Sequence, residues 1–409
     1  MNEVELAARS SATARTTGAA TDWREVRARY PMVGRSTFLN ITSGTPLSNA
    51  AKAAVDKLIE AQWAGTGTRD ERYAMMDSAR GRFARLIHAR ADEIAVTKNV
   101  TEGLNIVATA IDWKAGDNVV LCAELEHPNN IYLWLALRER GIEVRAIPAR
   151  DGAIDTPAMI AAIDARTRIV TAASVTFVPG LRTELAALGH ACRKSGALFL
   201  VDAVQSCGIL DVDVEACAID ALATSTSKGL MGIAGLGFLY VRSNWIGRLR
   251  PAYIGRYSIE RGTGHQSEFE GESYRLMTDA RRFEAGNFNW AGIAAANASL
   301  GELLQIGTPA IEARVVALAT ALAQGLRGAG LTVAQPAPGI APTHIVTAGT
   351  LGAGDTNSSH DPKLNRIGAA MTAAGVKFTM RKGMLRFGFH CYNDETDVER
   401  VLEVVRGVR

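Results

Sequence analysis

The sequence predicts an α/β protein built on a mostly parallel, doubly wound sheet and followed by a small α+β unit. Three observations carry this. Seven short runs rich in branched residues recur: Glu93–Thr97, Asn118–Cys122, Glu143–Ile147, Arg168–Ala173, Leu198–Asp202, Ala218–Ala223 and Leu236–Val241. Stretches of helical periodicity separate most of them, and strand–helix–strand repetition favours parallel pairing. Arg168–Ala173 and Leu198–Asp202 (LFLVD) are largely apolar on both faces, as central parallel strands are.

The elements follow in chain order. Met1 to Thr21 is mostly Ala, Ser, Thr and Arg with no continuous apolar run, so it reads as a loose arm and not as a secretory signal. Asn129–Arg140, Thr156–Ala165 and Thr183–Ser195 carry helical periodicity. After Trp245 the pattern changes. Arg256–Ala280 is polar and Gly-rich without a period, which predicts a long loop, either a substrate-selecting flap or a disordered surface loop. Helical pattern resumes from Gly292 to Ala329. Candidate strands then stand at His344–Thr347, Lys377–Met380 and Met384–Gly388. Asp394–Val408 reads as a final amphipathic helix capped by Asp394, with Asp397 adding charge to its first turn. The expected organisation is an arm over 1–21, a large domain over 22–300 whose start can pack on the small domain, and a small domain over 301–409.

Composition narrows the function classes. Of 409 residues, 21% are charged and the net charge is +3, which fits neither a disordered acidic chain nor a nucleic-acid binder. Five Cys without a CxxC pair make neither a disulfide framework nor a zinc site, so no metal is expected and a reducing, cytoplasmic setting fits best. No run approaches the roughly 18 apolar residues of a membrane span.

The chemistry-bearing residues cluster after strands. Asp202 ends a very apolar strand, at the carboxyl edge where open α/β sheets bind ligands, although Asp is equally suited to capping a helix. Lys228 follows another strand in STSKG, between the hydroxyl-rich turn Ser225–Ser227 and an uncharged, Gly-rich stretch. That context can desolvate an amine and lower its pKa, as Schiff-base chemistry needs, whereas an ordinary lysine after a strand is solvated. Gly232, Gly235 and Gly237 precede a strand instead of opening a helix, so they suggest tight backbone packing and not a dinucleotide fingerprint. Asn99–Gly103 follows a strand and opens a helix, so its free amides can face an anion or simply carry an Asn or Thr cap.

Taken in order, FLNITSGTPL, TKNVTEGLN, ELEHPNN, SVTFVPG, VDAVQS, STSKG, RRFEAGNFN and LRFGFHCYNDETDV resemble the class V branch of the fold-type I pyridoxal-phosphate enzymes. That branch holds cysteine desulfurases, selenocysteine lyases, isopenicillin-N-epimerase-like proteins and aminotransferases. The resemblance runs from about Phe38 to Val405. It implies the fold-type I architecture, a mixed, mostly parallel seven-stranded sheet flanked by helices, with pyridoxal 5′-phosphate as cofactor. By resemblance Lys228 forms the Schiff base, Asp202 pairs with the pyridinium nitrogen, Gln205 lies near the phenolic oxygen and His127 stacks on the ring. Val100, Thr101 and Ser225 match phosphate ligands, and Asn287 sits where a threonine reaches the neighbouring subunit's phosphate. Arg386 matches the grip on the substrate α-carboxylate, and Asn40 and Thr42 fall in a segment bordering the substrate.

The resemblance also implies a homodimer acting on a small amino acid, with no nucleic-acid or membrane partner. Three departures stand out. The desulfurase cysteine that precedes the carboxylate-binding arginine is missing from Phe378–Arg386, where a loop looks deleted; Ser227 replaces a histidine before the lysine; and Phe177 stands near an expected asparagine. Persulfide chemistry is therefore not expected. An aminotransferase comes first, with β- or γ-elimination of a C–S or C–O bond, or epimerisation, as alternatives on the same residues.

Overall fold

The structure, a computed structural model, describes residues 21–260 and 273–408. The arm expected over 1–21 lies outside these except for Thr21, as does the middle of the stretch 256–280.

Strands are numbered in chain order: β1 Thr37–Phe38, β2 Ile94–Thr97, β3 Asn118–Leu121, β4 Glu143–Ala146, β5 Ala149–Arg150, β6 Ala153–Ile154, β7 Thr167–Ala173, β8 Leu198–Asp202, β9 Ala221–Ser225, β10 Gly237–Val241, β11 Ile345–Ala348, β12 Val376–Lys377, β13 Thr379–Arg381 and β14 Met384–Gly388. All seven runs read from the sequence join one sheet, in the order β2-β10-β9-β8-β7-β3-β4. Only β10 runs antiparallel to its neighbours. Alternate residues point to opposite faces and both faces are covered, with Phe199, Val201 and Phe238 in one apolar cluster and Leu198, Leu200 and Leu239 in the other. From β3 the chain steps outward to β4, then returns across β3 to β7 and continues to β8 and β9. The carboxyl edge between β3 and β7 is therefore a topological switch point, the place where ligands settle in such sheets.

Several boundaries differ from the sequence pattern for local reasons. The stretch 129–140 is broken into a 3-10 turn (Pro128–Asn130), a short α-helix (Tyr132–Leu137) and a second 3-10 turn (Arg138–Arg140). The helix begun at Thr156 stops at Ala161. Strand β9 starts at Ala221 because Ala218 has φ 52° and the Ile219 amide still closes a turn on the Val214 carbonyl. The helical stretch 292–329 is two helices, Trp290–Ile306 and Thr308–Gly328, meeting at 81° through Gly307 at φ 89°. No single helix among the described residues is long and apolar enough to cross a membrane.

Two helices absent from the sequence reading, Asn49–Trp63 and Arg69–Leu86, pack against Trp290–Ile306. The second buries one charged residue on an otherwise apolar face: Arg80 donates to Glu284 Oε1 at 2.8 Å, and Glu284 accepts the Val96 amide of the edge strand β2.

The C-terminal layer carries the sheet β11-β14-β13 and the helices Pro362–Ala373 and Glu395–Gly407, the latter held by an Asp394–Asp397 capping box. Chain from the other terminus completes it. β1 pairs in parallel with β12, and Arg27 of the helix Trp23–Ala28 donates to Asp397 Oδ2 at 2.8 Å and to the Tyr392 carbonyl at 2.6 Å.

Close packing makes one stability expectation. A Cβ at Gly189, in the helix Leu185–Ser195, would lie 2.1 Å from the Cys217 carbonyl oxygen, which is backbone and cannot yield cheaply. Gly189→Ala should destabilise by about 1–3 kcal/mol or more. A melting temperature equal to wild type would contradict this.

Candidate active site

A cavity of about 280 Å³ opens at the switch point. It is lined by the ends of β7, β8 and β9, the first turn of the helix Val100–Ala110, and the segment Glu126–Asn130. Parallel pairing explains the convergence: Ala173 is opposite Asp202, and Asp202 is opposite Ala223, so consecutive strands deliver their carboxyl ends side by side.

Asp202 is 4% exposed. Its Oδ2 accepts from Asn130 Nδ2 at 2.6 Å and its Oδ1 from the Val204 amide at 2.8 Å. The second bond closes a local turn and no helix begins there, so Asp202 lines the cavity without being the helix cap that its position also allowed. Burial raises its pKa, while those two donors, then Lys228 and His127, oppose the rise.

Lys228 sits in a turn closed by Met231 N to the Lys228 carbonyl, with Thr226 Oγ1 donating to Ile233 O at 2.7 Å. Gly229 is required next to it, since a Cβ there would stand 2.4 Å from the Cys207 carbonyl. His390, buried and pushed down to about 4, is neutral; its Nδ1 accepts the Cys391 amide, so Nε2–H donates to Gly229 O at 2.9 Å. Burial lowers the Lys228 amine to about 8, with Arg386 and Arg381 adding to the effect and Asp202 opposing it. Acylation of Lys228 in the cofactor-free chain should therefore show a midpoint near pH 8, read by peptide mass mapping; a midpoint above 10 would contradict the burial.

At the anion-suited end, Asn99 Oδ1 caps the Glu102 amide at 2.9 Å, and Ser225 Oγ accepts the Val100 amide at 2.8 Å. Asn129 Nδ2 donates to Thr101 Oγ1 at 3.1 Å. The cap reading is thus realised, and the same turn lines the cavity. Gly232 and Gly237 stand where a Cβ would meet Thr226 and the Thr224 carbonyl, the tight backbone packing expected of them.

His127 also lines the cavity. Its ring meets Phe177 edge-on at 4.9 Å, and burial followed by Lys228 lowers its pKa. Phe177 in turn supplies its carbonyl to Arg386 Nη1 at 2.8 Å, and its ring lies 4.8 Å beneath the guanidinium carbon. Arg386 is on the central strand of its sheet and 1% exposed. Its Nε donates to Thr379 Oγ1 at 3.1 Å and Nη2 to Ser43 Oγ at 3.4 Å. Burial, then Arg381, lowers its pKa to about 9. No carboxylate among the described residues pairs with it. Gln205 Nε2 donates to the Thr42 carbonyl at 3.1 Å, and Asn40 bridges Gly388. Asn40 Oδ1 and Thr42 Oγ1 are buried without partners. Asn287, at φ 45°, lies outside this cavity in a neighbouring one with Lys98 and Gly235.

The missing desulfurase loop has a structural form. β13 and β14 are joined by two residues, Lys382 (φ 48°) and Gly383 (φ 81°), the left-handed pair of a tight hairpin turn. Of the five cysteines, Cys122, Cys192, Cys207 and Cys391 are buried and Cys217 half-buried, and burial raises every thiol pKa. No group of three or more His, Cys, Asp or Glu among the described residues could hold a metal ion.

Two polar residues escaped the sequence reading. Glu126 and Asn130 flank His127 in ELEHPNN, and both line the cavity. In the sequence their only mark is to be polar residues after a buried strand.

The donor set suits pyridoxal 5′-phosphate. A buried carboxylate can pair with a ring cation, a desolvated lysine stands beside it, and a helix N-terminus with Ser225 and Thr101 hydroxyls can take a phosphate. Fold and site thus define a fold-type I, pyridoxal-phosphate-dependent enzyme. The family model of aminotransferase class-V matches residues 58–401, and the chain belongs to that family. A probable cysteine desulfurase of Methanothermobacter thermautotrophicus is 33% identical over 294 residues, covering 70% of this chain and 72% of the relative. The uncharacterized aminotransferase YcbU of Bacillus subtilis is 26% identical over 385 residues, covering 93% of this chain and 96% of the relative. The apo structure of a cysteine desulfurase from Thermococcus onnurineus NA1 superposes with a TM-score of 0.80 at 25% identity, covering 94% of this chain and 97% of its own.

Proposed function

We propose that the chain transforms an α-amino acid, with Lys228 as its central catalytic residue and transamination as its first reaction. The observation that carries this is a desolvated lysine lining the cavity with His127 and Phe177, and a buried arginine that stacks on Phe177 just behind that lining and pairs with no carboxylate among the described residues. When bound, the cofactor supplies an electrophilic carbon and a ring that accepts electrons from the carbon bearing the amine.

The chain's own residues do the rest. Asp202 holds the ring nitrogen's proton through its two-donor carboxylate. His127 would pack on the ring, Gln205 would lie near its phenolic oxygen, and Val100, Thr101 and Ser225 would hold the phosphate. Arg386 has N–H groups beyond those given to Phe177, Thr379 and Ser43, enough for a two-point grip on an α-carboxylate. Asn40 and Thr42 border the substrate. Lys228 Nζ, lowered by burial to about 8, takes the α-proton and would hand it to the cofactor's carbon, so that the amino group stays behind when the oxo acid leaves. The active unit in this reading is a homodimer in which Asn287 serves the partner's site.

One observation favours a second reading. Some relatives are named cysteine desulfurase, yet the two-residue hairpin carries no cysteine and none lines the cavity. Elimination of a sulfur- or oxygen-bearing group would then end in release, not in a protein-bound persulfide. Purified protein should be incubated with amino acids, with and without 2-oxo acids. Amino-group exchange that requires the oxo acid supports transamination; pyruvate and ammonia without it would replace that reading by the lyase, and neither product across all amino acids would sink both.

A further inference from the structure

Lys228's cavity is lined by two buried carboxyls, and a single amide holds both. Asn130 Nδ2 donates to Asp202 Oδ2 at 2.6 Å and to Glu126 Oε2 at 2.9 Å. The other oxygens accept backbone amides, Val204 on Asp202 Oδ1 at 2.8 Å and Ala173 on Glu126 Oε1 at 2.6 Å. All four oxygens are thus acceptors, an arrangement that suits two ionised groups. Two negative charges that are each 4% exposed are costly unless cations answer them.

The charged and titratable groups facing this pair are few. Lys228 acts on Asp202. His127, adjacent to Glu126, is held toward its neutral form. Cys122, packed on the same side, is pushed up to about 11 and stays neutral. Lys228 therefore answers one of the two negative charges. The protonated ring nitrogen of the cofactor would answer the other.

Asn130 also has a second orientation to offer. Its Oδ1 is buried without a partner. Turning the amide over would give a protonated Glu126 an acceptor and take the donor away from Asp202.

We propose that Glu126, acting through Asn130, is a positioning residue for Asp202 and makes capture of the cofactor proton-linked. Glu126 holds a proton in the cofactor-free chain and releases it to solvent when a protonated ring nitrogen settles on Asp202. The ionised Glu126 then fixes the amide so that its donor faces Asp202. Burial, assisted by Asp202 and opposed by Asn130, pushes Glu126 up to about 7, which places the exchange near neutrality. The inference rests on the reading that this cavity holds pyridoxal phosphate. The sign follows from linkage: binding favours the ionised form, so affinity rises as pH approaches about 7 from below and levels off above it.

The test titrates the full-length, cofactor-free chain with pyridoxamine 5′-phosphate, which lacks the aldehyde and leaves Lys228 chemistry silent. Calorimetry between pH 6 and 8, in buffers of different ionisation enthalpy, counts the protons released. Wild type should release one proton more than Glu126→Gln at pH 6. Its affinity should also rise more steeply, by up to about tenfold per pH unit, because the ligand's own titrations are common to both proteins. Equal proton counts and equal slopes would overturn the proposal. A measurement that needs no variant is the infrared difference spectrum of wild type at pH 6, which should lose one protonated-carboxyl band on binding; no loss would overturn it equally. Failure of wild type to bind at any pH would instead remove the cofactor reading beneath it.

Discussion

Replacing Lys228 by alanine is expected to abolish turnover, by at least about 10²–10⁴-fold from lost proton transfer alone. The reason is local. Lys228 is the amine that burial holds at about 8, and it stands in a turn pinned by Thr226, Gly229 and His390. None of those contacts uses the side-chain nitrogen, so the variant should fold and still bind cofactor. It should lose the absorbance band that borohydride bleaches, because no other lysine among the described residues lines the cavity. Partial rescue by a small added amine would separate loss of chemistry from loss of structure. Retained turnover would exclude Lys228 from the reaction and with it the proposed function.

Replacing Arg386 by alanine should cost the second largest amount. A charge-assisted bond is worth about 1.5–3 kcal/mol, so losing a two-point grip should lower kcat/KM roughly 10²–10⁴-fold. Arg386→Lys should recover little, since an ammonium is a point charge and cannot reproduce the planar fork. The contacts to Phe177, Thr379 and Ser43 also support the floor under His127, so cofactor absorbance must be recorded alongside. Unchanged absorbance with raised KM is the expected pair of results. An unchanged KM would mean that the substrate carboxylate binds elsewhere.

Much of this architecture is legible in the chain because its central strands are buried on both faces. LFLVD has no polar side to confuse, and even the polar edge run at Glu143–Ile147 entered the same sheet. Helices were harder wherever their buried face includes a charged residue or is built from small residues. Arg69–Leu86 buries Arg80 against Glu284, and no periodicity in hydrophobicity reveals an ion pair made with a residue some two hundred positions away. In the site, Lys228 and Asp202 stand out because a charge after an apolar strand is conspicuous. Glu126 and Asn130 do not, because their importance lies in a bond to Asp202 that only folding creates. The turn at Lys382 and Gly383 explains what the sequence could describe only as a deletion.

The joining of both chain ends in the C-terminal layer bears on how the protein is made. β1 waits for β12, and Arg27 waits for Asp397, partners separated by 370 positions. Closing a loop that long carries an entropic penalty that contacts nearer in sequence avoid. During synthesis, then, the central sheet can assemble while the first strand and helix remain exposed, and the segment from β12 to Asp397 must emerge before they find cover. A fragment beginning after Phe38 would leave β12 without its neighbour and Asp397 without Arg27, however complete its catalytic residues.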